Sequence, residues 1–219
     1  GLDKNRVVVG FNTIDVKEYK PQDLPVFKQW LNDKYNIEDG AKKIIFLGRK
    51  AEYKGIKFLV EAVKILRREF SVKLFLVGPN FPWFEEYYSA LSPEERRDII
   101  DYGPIPYHSH QVKVNLLHLS DLLVLPSKFE AFGIVFLEAW ACGTPVIGCR
   151  NEITSEVLSG AGLTFQYGDV NELKEKIKII LYDRPLRDKL ASAGNNRILR
   201  SFNLDTVGRQ VYSAIQNKA

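Results

Sequence analysis

The chain has 219 residues, of which 45% are hydrophobic and 26% charged, enough apolar material to bury a sizeable core and to exclude intrinsic disorder. Lys plus Arg number 31 against 27 Asp plus Glu, a formal charge of +4. That mild basic excess suits an anionic small ligand or an acidic membrane surface, and it is too dilute to argue for nucleic acid. The two cysteines, Cys142 and Cys149, sit in an apolar run and predict buried thiols in a reducing, cytoplasmic compartment rather than a disulfide framework. The charge-free run 139–149 is about half of the ~20 residues that a membrane-spanning helix needs. With no Met anywhere, the chain reads as a processed or excised piece of a longer protein.

In chain order, a short strand is predicted at 7–10, a turn at Lys20-Pro21 and a helix at 26–35. A strand at 43–48 leads into a helix whose Ile56, Leu59, Val60, Val63 and Leu66 recur at the three-and-four spacing of one face. Strands follow at 72–78, 99–103 and 121–126, then an almost wholly apolar helix beginning near Gly133, then strands at 144–148 and 163–166. Leu173, Ile177, Ile180 and Leu181 mark another amphipathic helix, and Leu204, Val207, Val211 and Ile215 the last. Several strands are continuous runs of Val, Ile, Leu and Phe, the pattern of strands covered on both faces. Strand–helix alternation at this spacing predicts an α/β fold in one domain over 1–219, a Rossmann-like parallel sheet with helices on both faces. Ligands in such folds sit beyond the carboxyl ends of the strands.

Three of those ends carry chemistry. After 43–48, Arg49 and Lys54 stand on either side of a short loop, and two cations facing one crevice are what a diphosphate needs; ordinary solvated loop charges are the alternative. After 121–126 comes Glu130, and then Gly133, where free backbone N–H groups at a helix start suit phosphate or hydroxyl oxygens. Further along, Glu138 stands among Val135, Phe136, Leu137, Ala139, Trp140 and Ala141. A carboxylate there is costly unless paired, so it either meets a Lys or Arg or accepts hydrogen bonds from the vicinal hydroxyls of a ligand. After 99–103, prolines stiffen the loop Gly103-Pro104-Ile105-Pro106-Tyr107-His108-Ser109-His110, in which Tyr107 is placed to lie against a flat ring. His108 and His110 lack the further ligands of a metal site and read as solvated histidines near a helix start.

Gly48-Arg49 with Lys54-Gly55, and Glu130 with Glu138 in a Glu-x7-Glu arrangement ending in Ala141-Cys142-Gly143-Thr144-Pro145, resemble glycosyltransferase family 4. These are the group 1 glycosyltransferases, retaining enzymes of the GT-B fold. The likeness runs over nearly the whole chain: 12–21 resembles the segment that opens the family's carboxyl-terminal domain, 120–127 its Ala/Ser-Asp-strand-Pro-Ser element, and 202–219 its closing helix. The resemblance implies a domain that binds a nucleotide-diphospho-sugar donor. By that likeness Arg49 and Lys54 contact the diphosphate, Glu130 the sugar hydroxyls and Glu138 the ribose diol. Backbone N–H groups of Phe132, Gly133, Ile134 and Val135 hold the sugar and phosphate. It also implies transfer with retention and no metal or other cofactor, which matches the lack of an Asp-x-Asp pair. An amino-terminal domain that binds the acceptor, a sugar or a lipid, is then missing from the chain, and peripheral association with the cytoplasmic face of a membrane stays open. Alone, the chain is expected to fold and bind nucleotide weakly while transferring little or no sugar.

The sequence departs from the family at 150–156, where Arg-Asn-Glu-Ile-Thr-Ser-Glu replaces a paired-glycine turn before Pro-Glu, and at Asn12-Thr13, which replaces Asn-Gly. A non-catalytic nucleotide-sugar-binding or partner module of the same fold is the alternative function. A glycoside hydrolase using Glu130 and Glu138 is disfavoured: on one helix, eight residues at 1.5 Å each would separate them by about 12 Å, beyond the usual range, and with Glu130 in a loop the adjoining cations still suggest phosphate rather than a plain glycoside. The scattered Lys and Arg speak against nucleic acid as a partner. Dinucleotide, Walker and nucleophile-elbow motifs are absent.

Overall fold

The computed structural model describes residues 11–216, so the strand expected at 7–10 lies outside the described residues. Among the described residues, six parallel strands form one sheet: β1 (Lys42–Leu47), β2 (Val72–Val77), β3 (Ile99–Gly103), β4 (Leu122–Leu125), β5 (Val146–Cys149) and β6 (Leu163–Phe165). Their spatial order is β3-β2-β1-β4-β5-β6. Every residue of β2, β4 and β5 is buried, as strands covered on both faces require, and the one charged residue among them, Lys73 of β2, pairs with Asp98 at 2.9 Å. β1 and β2 run in register from Lys42 opposite Val72 to Leu47 opposite Val77.

The helices, in chain order, are α1 (Leu24–Tyr35), α2 (Ile56–Leu66), α3 (Pro82–Ala90), α4 (Pro93–Arg96), α5 (His110–Leu119), α6 (Ile134–Ala141), α7 (Glu152–Leu158), α8 (Val170–Tyr182), α9 (Arg184–Arg197) and α10 (Leu204–Gln216). They flank the sheet: α2 packs on α8, α5 on both α1 and α6, and α9 touches α6 and α8. Among the described residues no helix is long and apolar enough to cross a membrane. The core holds Phe46, Phe75, Phe136, Trp140, Phe165 and Phe202 fully enclosed. Each such side chain contributes about 1.5–3 kcal/mol of burial.

Two departures from the sequence reading have local causes. The strand expected at 144–148 begins at Val146, because Thr144 closes α6 instead: its N–H donates to the Ala139 carbonyl at 2.9 Å and its hydroxyl to Leu117 at 2.7 Å. Pro145 offers the ladder only its carbonyl, which accepts from the Leu123 N–H at 3.0 Å, and has no N–H to donate. At 150–156, where the paired glycines are missing, Asn151 caps α7, its side chain accepting from the Thr154 N–H at 2.9 Å.

The strand order places β1 beside β4 although β2 and β3 lie between them in sequence. At such a reversal the connections leave in opposite directions and open a crevice at the carboxyl ends. The loops after β1 and β4 are the ones that carry Arg49, Lys54 and Glu130.

Candidate nucleotide-sugar site

The loop after β1 passes Gly48, Arg49 and Lys50, makes a 3-10 turn at Glu52–Lys54, and enters α2 through Gly55. Gly55 has φ 69°, and a Cβ there would overlap the Pro126 carbonyl, so glycine is required both for the turn and for the approach of the β4 loop. The two loops are joined again where the Lys128 N–H donates to the Tyr53 carbonyl at 2.9 Å. Side chains complete the junction: Lys54 Nζ lies 2.7 Å from Glu130 Oε1. Arg49 donates to the Tyr53 hydroxyl at 3.2 Å, and among the described residues no carboxylate pairs with it.

The β4 loop ends at Gly133, whose φ of 80° makes it a left-handed cap for α6. Among the described residues no acceptor receives the N–H groups of Phe132, Gly133, Ile134 or Val135. The ring of Phe132 turns to Phe202, centroids 5.6 Å apart. Arg49, Lys54, Glu130, Phe132 and the start of α6 line a cavity of about 370 Å³, joined by Asn12. It therefore combines one unpaired guanidinium, one ion pair and a set of free backbone donors. That is a chemistry for phosphate and hydroxyl oxygens.

A second cavity of about 400 Å³ adjoins it, sharing Leu47, Gly48, Arg49 and Val135. Its further walls are Pro79 from the β2 loop, Pro104 to Tyr107 from the β3 loop, and His110, Lys113 and Glu138. Tyr107 is fully exposed at its mouth. His110 binds the Glu18 carbonyl through Nε2 at 3.2 Å, and among the described residues no group of His, Cys, Asp or Glu assembles to hold a metal ion.

Glu138 does not stand alone on α6. Lys113 Nζ lies 2.6 Å from its Oε1 and the Tyr19 hydroxyl donates to the same oxygen at 2.9 Å. The carboxylate thus meets the cation that its burial demands without any ligand. Burial, and then the charge of Glu138, push the phenol of Tyr19 well above its ordinary range. The cation on Lys54 is likewise shared with Glu130 rather than free.

The predicted residues therefore gather at one rim: Arg49 lines both cavities, Lys54, Glu130, Phe132 and Gly133 line the first, and Glu138 and Tyr107 the second. Sequence reasoning missed Lys113, Tyr19 and Asn12. Lys113 had a signal, since it follows His110 by one helical turn and so shares its face. Tyr19 had a weaker one, a lone aromatic ring among Lys17, Glu18 and Lys20.

The sequence profile of the family described as "Glycosyl transferases group 1" matches residues 28–197. N-acetyl-alpha-D-glucosaminyl L-malate synthase of Bacillus anthracis is 28% identical over 205 residues, covering 91% of this chain and 51% of the synthase. The solved sucrose-phosphate synthase of Thermosynechococcus elongatus superposes with a TM-score of 0.75 at 25% identity, over 95% of this chain and 51% of that one. HepE of Anabaena, solved in complex with UDP, shares the fold at a TM-score of 0.80 and 20% identity, over 96% of this chain and 57% of HepE. The chain spans about half the length of the curated relatives it matches. With the profile running through β1 to α9, the chain belongs to the group 1 glycosyl transferases.

Proposed function

We propose that the chain is the donor-binding half of a retaining glycosyltransferase that moves a sugar from a nucleotide-diphospho-sugar to an acceptor. The observation that carries the reading is the pair of cavities meeting at Gly48, Arg49 and Val135, one rich in donors for phosphate and the other apolar with a carboxylate at its edge. A nucleoside is a flat ring beside a diol, which suits the proline loop, Tyr107 and Glu138. A diphosphate fits the seam at Arg49, and the sugar then lies against Glu130 and the start of α6. HepE, with which the chain shares its fold, binds UDP, and UDP-glucose in another of its structures.

In transfer, the bond between the sugar's anomeric carbon and the diphosphate breaks with the electron pair leaving on the diphosphate, while an acceptor hydroxyl oxygen bonds to that carbon and its proton passes to the leaving diphosphate. Arg49, Lys54 and the free N–H groups of α6 face the oxygens on which that charge develops. A cation about 4 Å from a phosphate oxygen is worth roughly 4 kcal/mol at an effective dielectric near 20, before desolvation is subtracted. Such fixed donors act most strongly in the transition state. This scheme uses no metal or other cofactor, and it leaves recognition of the acceptor, a sugar or a lipid, to the remainder of a longer protein.

Calorimetric titration of the chain with UDP, GDP and ADP tests the reading. One of the three is expected to bind, weakly. Lys54→Ala should weaken both that nucleotide and pyrophosphate, whereas Glu138→Ala should weaken the nucleotide only. Binding of none of the three defeats the proposal, and robust sugar transfer by the chain alone defeats its division into halves. A non-catalytic nucleotide-sugar-binding module is the second reading, favoured because Glu130 and Glu138 each pair with a lysine inside the chain; it predicts the same binding and no transfer by the full-length protein.

A further inference from the structure

We propose that Tyr19 and Lys113 are positioning residues that hold Glu138 by one carboxylate oxygen and present the other to a vicinal diol. The inference rests on the reading of Glu138 as the ribose acceptor. Both partners address Oε1, Lys113 at 2.6 Å and Tyr19 at 2.9 Å, and among the described residues no hydrogen bond falls on Oε2. The Glu138 side chain is only 9% exposed, yet it lines the cavity below the proline loop. A carboxylate has about four acceptor positions, so an oxygen already occupied by two donors leaves its neighbour to receive the ligand.

The two holders are themselves fixed. Tyr19 ends the 3-10 turn Val16–Tyr19, which Asp15 caps by accepting from the Lys17 N–H at 2.9 Å. Its carbonyl accepts from His118 Nε2 at 2.9 Å, and its ring stands edge-on to His110 with centroids 5.2 Å apart. Lys113 lies 5.8 Å from the same ring, over its face. The opening turn, α5 and α6 thus meet at Glu138, and the plane of the carboxylate is set by elements from three parts of the chain. A diol needs that plane fixed, because its two hydroxyls donate along a defined direction; a phosphate bound at Arg49 does not.

The test is Tyr19→Phe in the whole chain, which removes one hydroxyl and keeps the ring. Using the tightest of UDP, GDP and ADP, its 2′-deoxy counterpart and pyrophosphate, the variant is expected to weaken the ribonucleotide about 3- to 10-fold. The preference for ribo over deoxy should shrink by the same factor, with pyrophosphate unchanged. Lys113→Met should act in the same direction and more strongly, and Lys113→Arg should restore part of the preference. A residue that served only packing would lower all three affinities together, and that result overturns the proposal. Glu138→Gln separates the two levels. If it abolishes the ribo preference while Tyr19→Phe leaves it intact, the positioning role fails and the ribose reading stands. If the preference survives Glu138→Gln, or none of the nucleotides binds, both fail.

Discussion

Lys50 follows Arg49 directly, and its side chain is 0% exposed. Its Nζ donates to Asn80 Oδ1 at 2.8 Å and pairs with Asp101, whose side chain is 21% exposed. Asn80 in turn donates to Asp101 Oδ2 at 3.0 Å, and the Lys50 N–H to the Pro79 carbonyl at 2.9 Å. This one buried ammonium joins the loops after β1 and β2 to strand β3, and the loops that follow these three strands line the cavity assigned to the nucleoside. Asp101→Asn removes the charge at constant size and strands a cation in the interior, which costs about 3 kcal/mol at neutral pH. Lys50→Met replaces the cation by an apolar chain of similar length and leaves Asp101 to Asn80 and solvent, a change of about 1 kcal/mol or less.

The pH dependence gives the reasoning its sharpest check. Burial lowers the pKa of Lys50 below its ordinary 10.5, against the opposing hydrogen bond and charge of Asp101. Between that lowered value and 10.5 the unfolded chain binds more protons than the folded one, so stability from this residue rises with pH across the window. The slope is at most about 1.4 kcal/mol per pH unit. Without Asp101 the window opens at lower pH, so the deficit of Asp101→Asn is largest near pH 7 and narrows towards pH 9.5. Urea unfolding of both variants and the parent at the two pH values measures it, and other lysines cancel in the difference. Equal costs for Asp101→Asn and Lys50→Met, or a deficit that ignores pH, would refute the assignment of Lys50 as a buried cation held by Asp101.

Gly194 on α9 faces the indole of Trp140, and a Cβ there would overlap Cγ, Cδ1 and Nε1 of that ring. Helix propensity favours alanine by about 1 kcal/mol, whereas overpacking a closed core costs about 1–3 kcal/mol, so Gly194→Ala should lower the urea midpoint; a rise would show that α9 has room to move. Cys142 is buried, and burial with the nearby charge of Glu138 pushes its thiol up to about 12, while burial also raises Cys149. Native protein at pH 8 should therefore give no thiol titre with a disulfide reagent and both thiols after denaturation, and a fast reaction of the folded chain would contradict the burial of these residues.

What the sequence disclosed, and what it hid, follows from the range of the interactions. β4 was legible because a strand covered on both faces writes its burial into every residue, and β2 because it does so at every residue but Lys73. α9 was not, since only Leu190 and Gly194 are buried along it and its start is marked by the Asp183 cap rather than by an apolar stripe. Residue type and spacing singled out Arg49, Lys54, Glu130 and Glu138 as candidates, because a cation or a carboxylate at a strand end or on an apolar helix stands out locally. Their pairing was not legible, for Lys113 is 25 residues from Glu138 and Tyr19 is 119 residues from it. No local periodicity encodes which charge a distant helix brings. The consequence is functional as well as structural. Lys54 and Glu130, like Lys113 and Glu138, are matched within the chain, so on the proposed reading a diphosphate arriving at Lys54 would compete with Glu130 for the same ammonium. Binding would then exchange one ion pair for another instead of creating one. On the proposed reading Arg49, without a carboxylate among the described residues, would supply most of the gain, and the isolated chain is expected to bind nucleotide weakly.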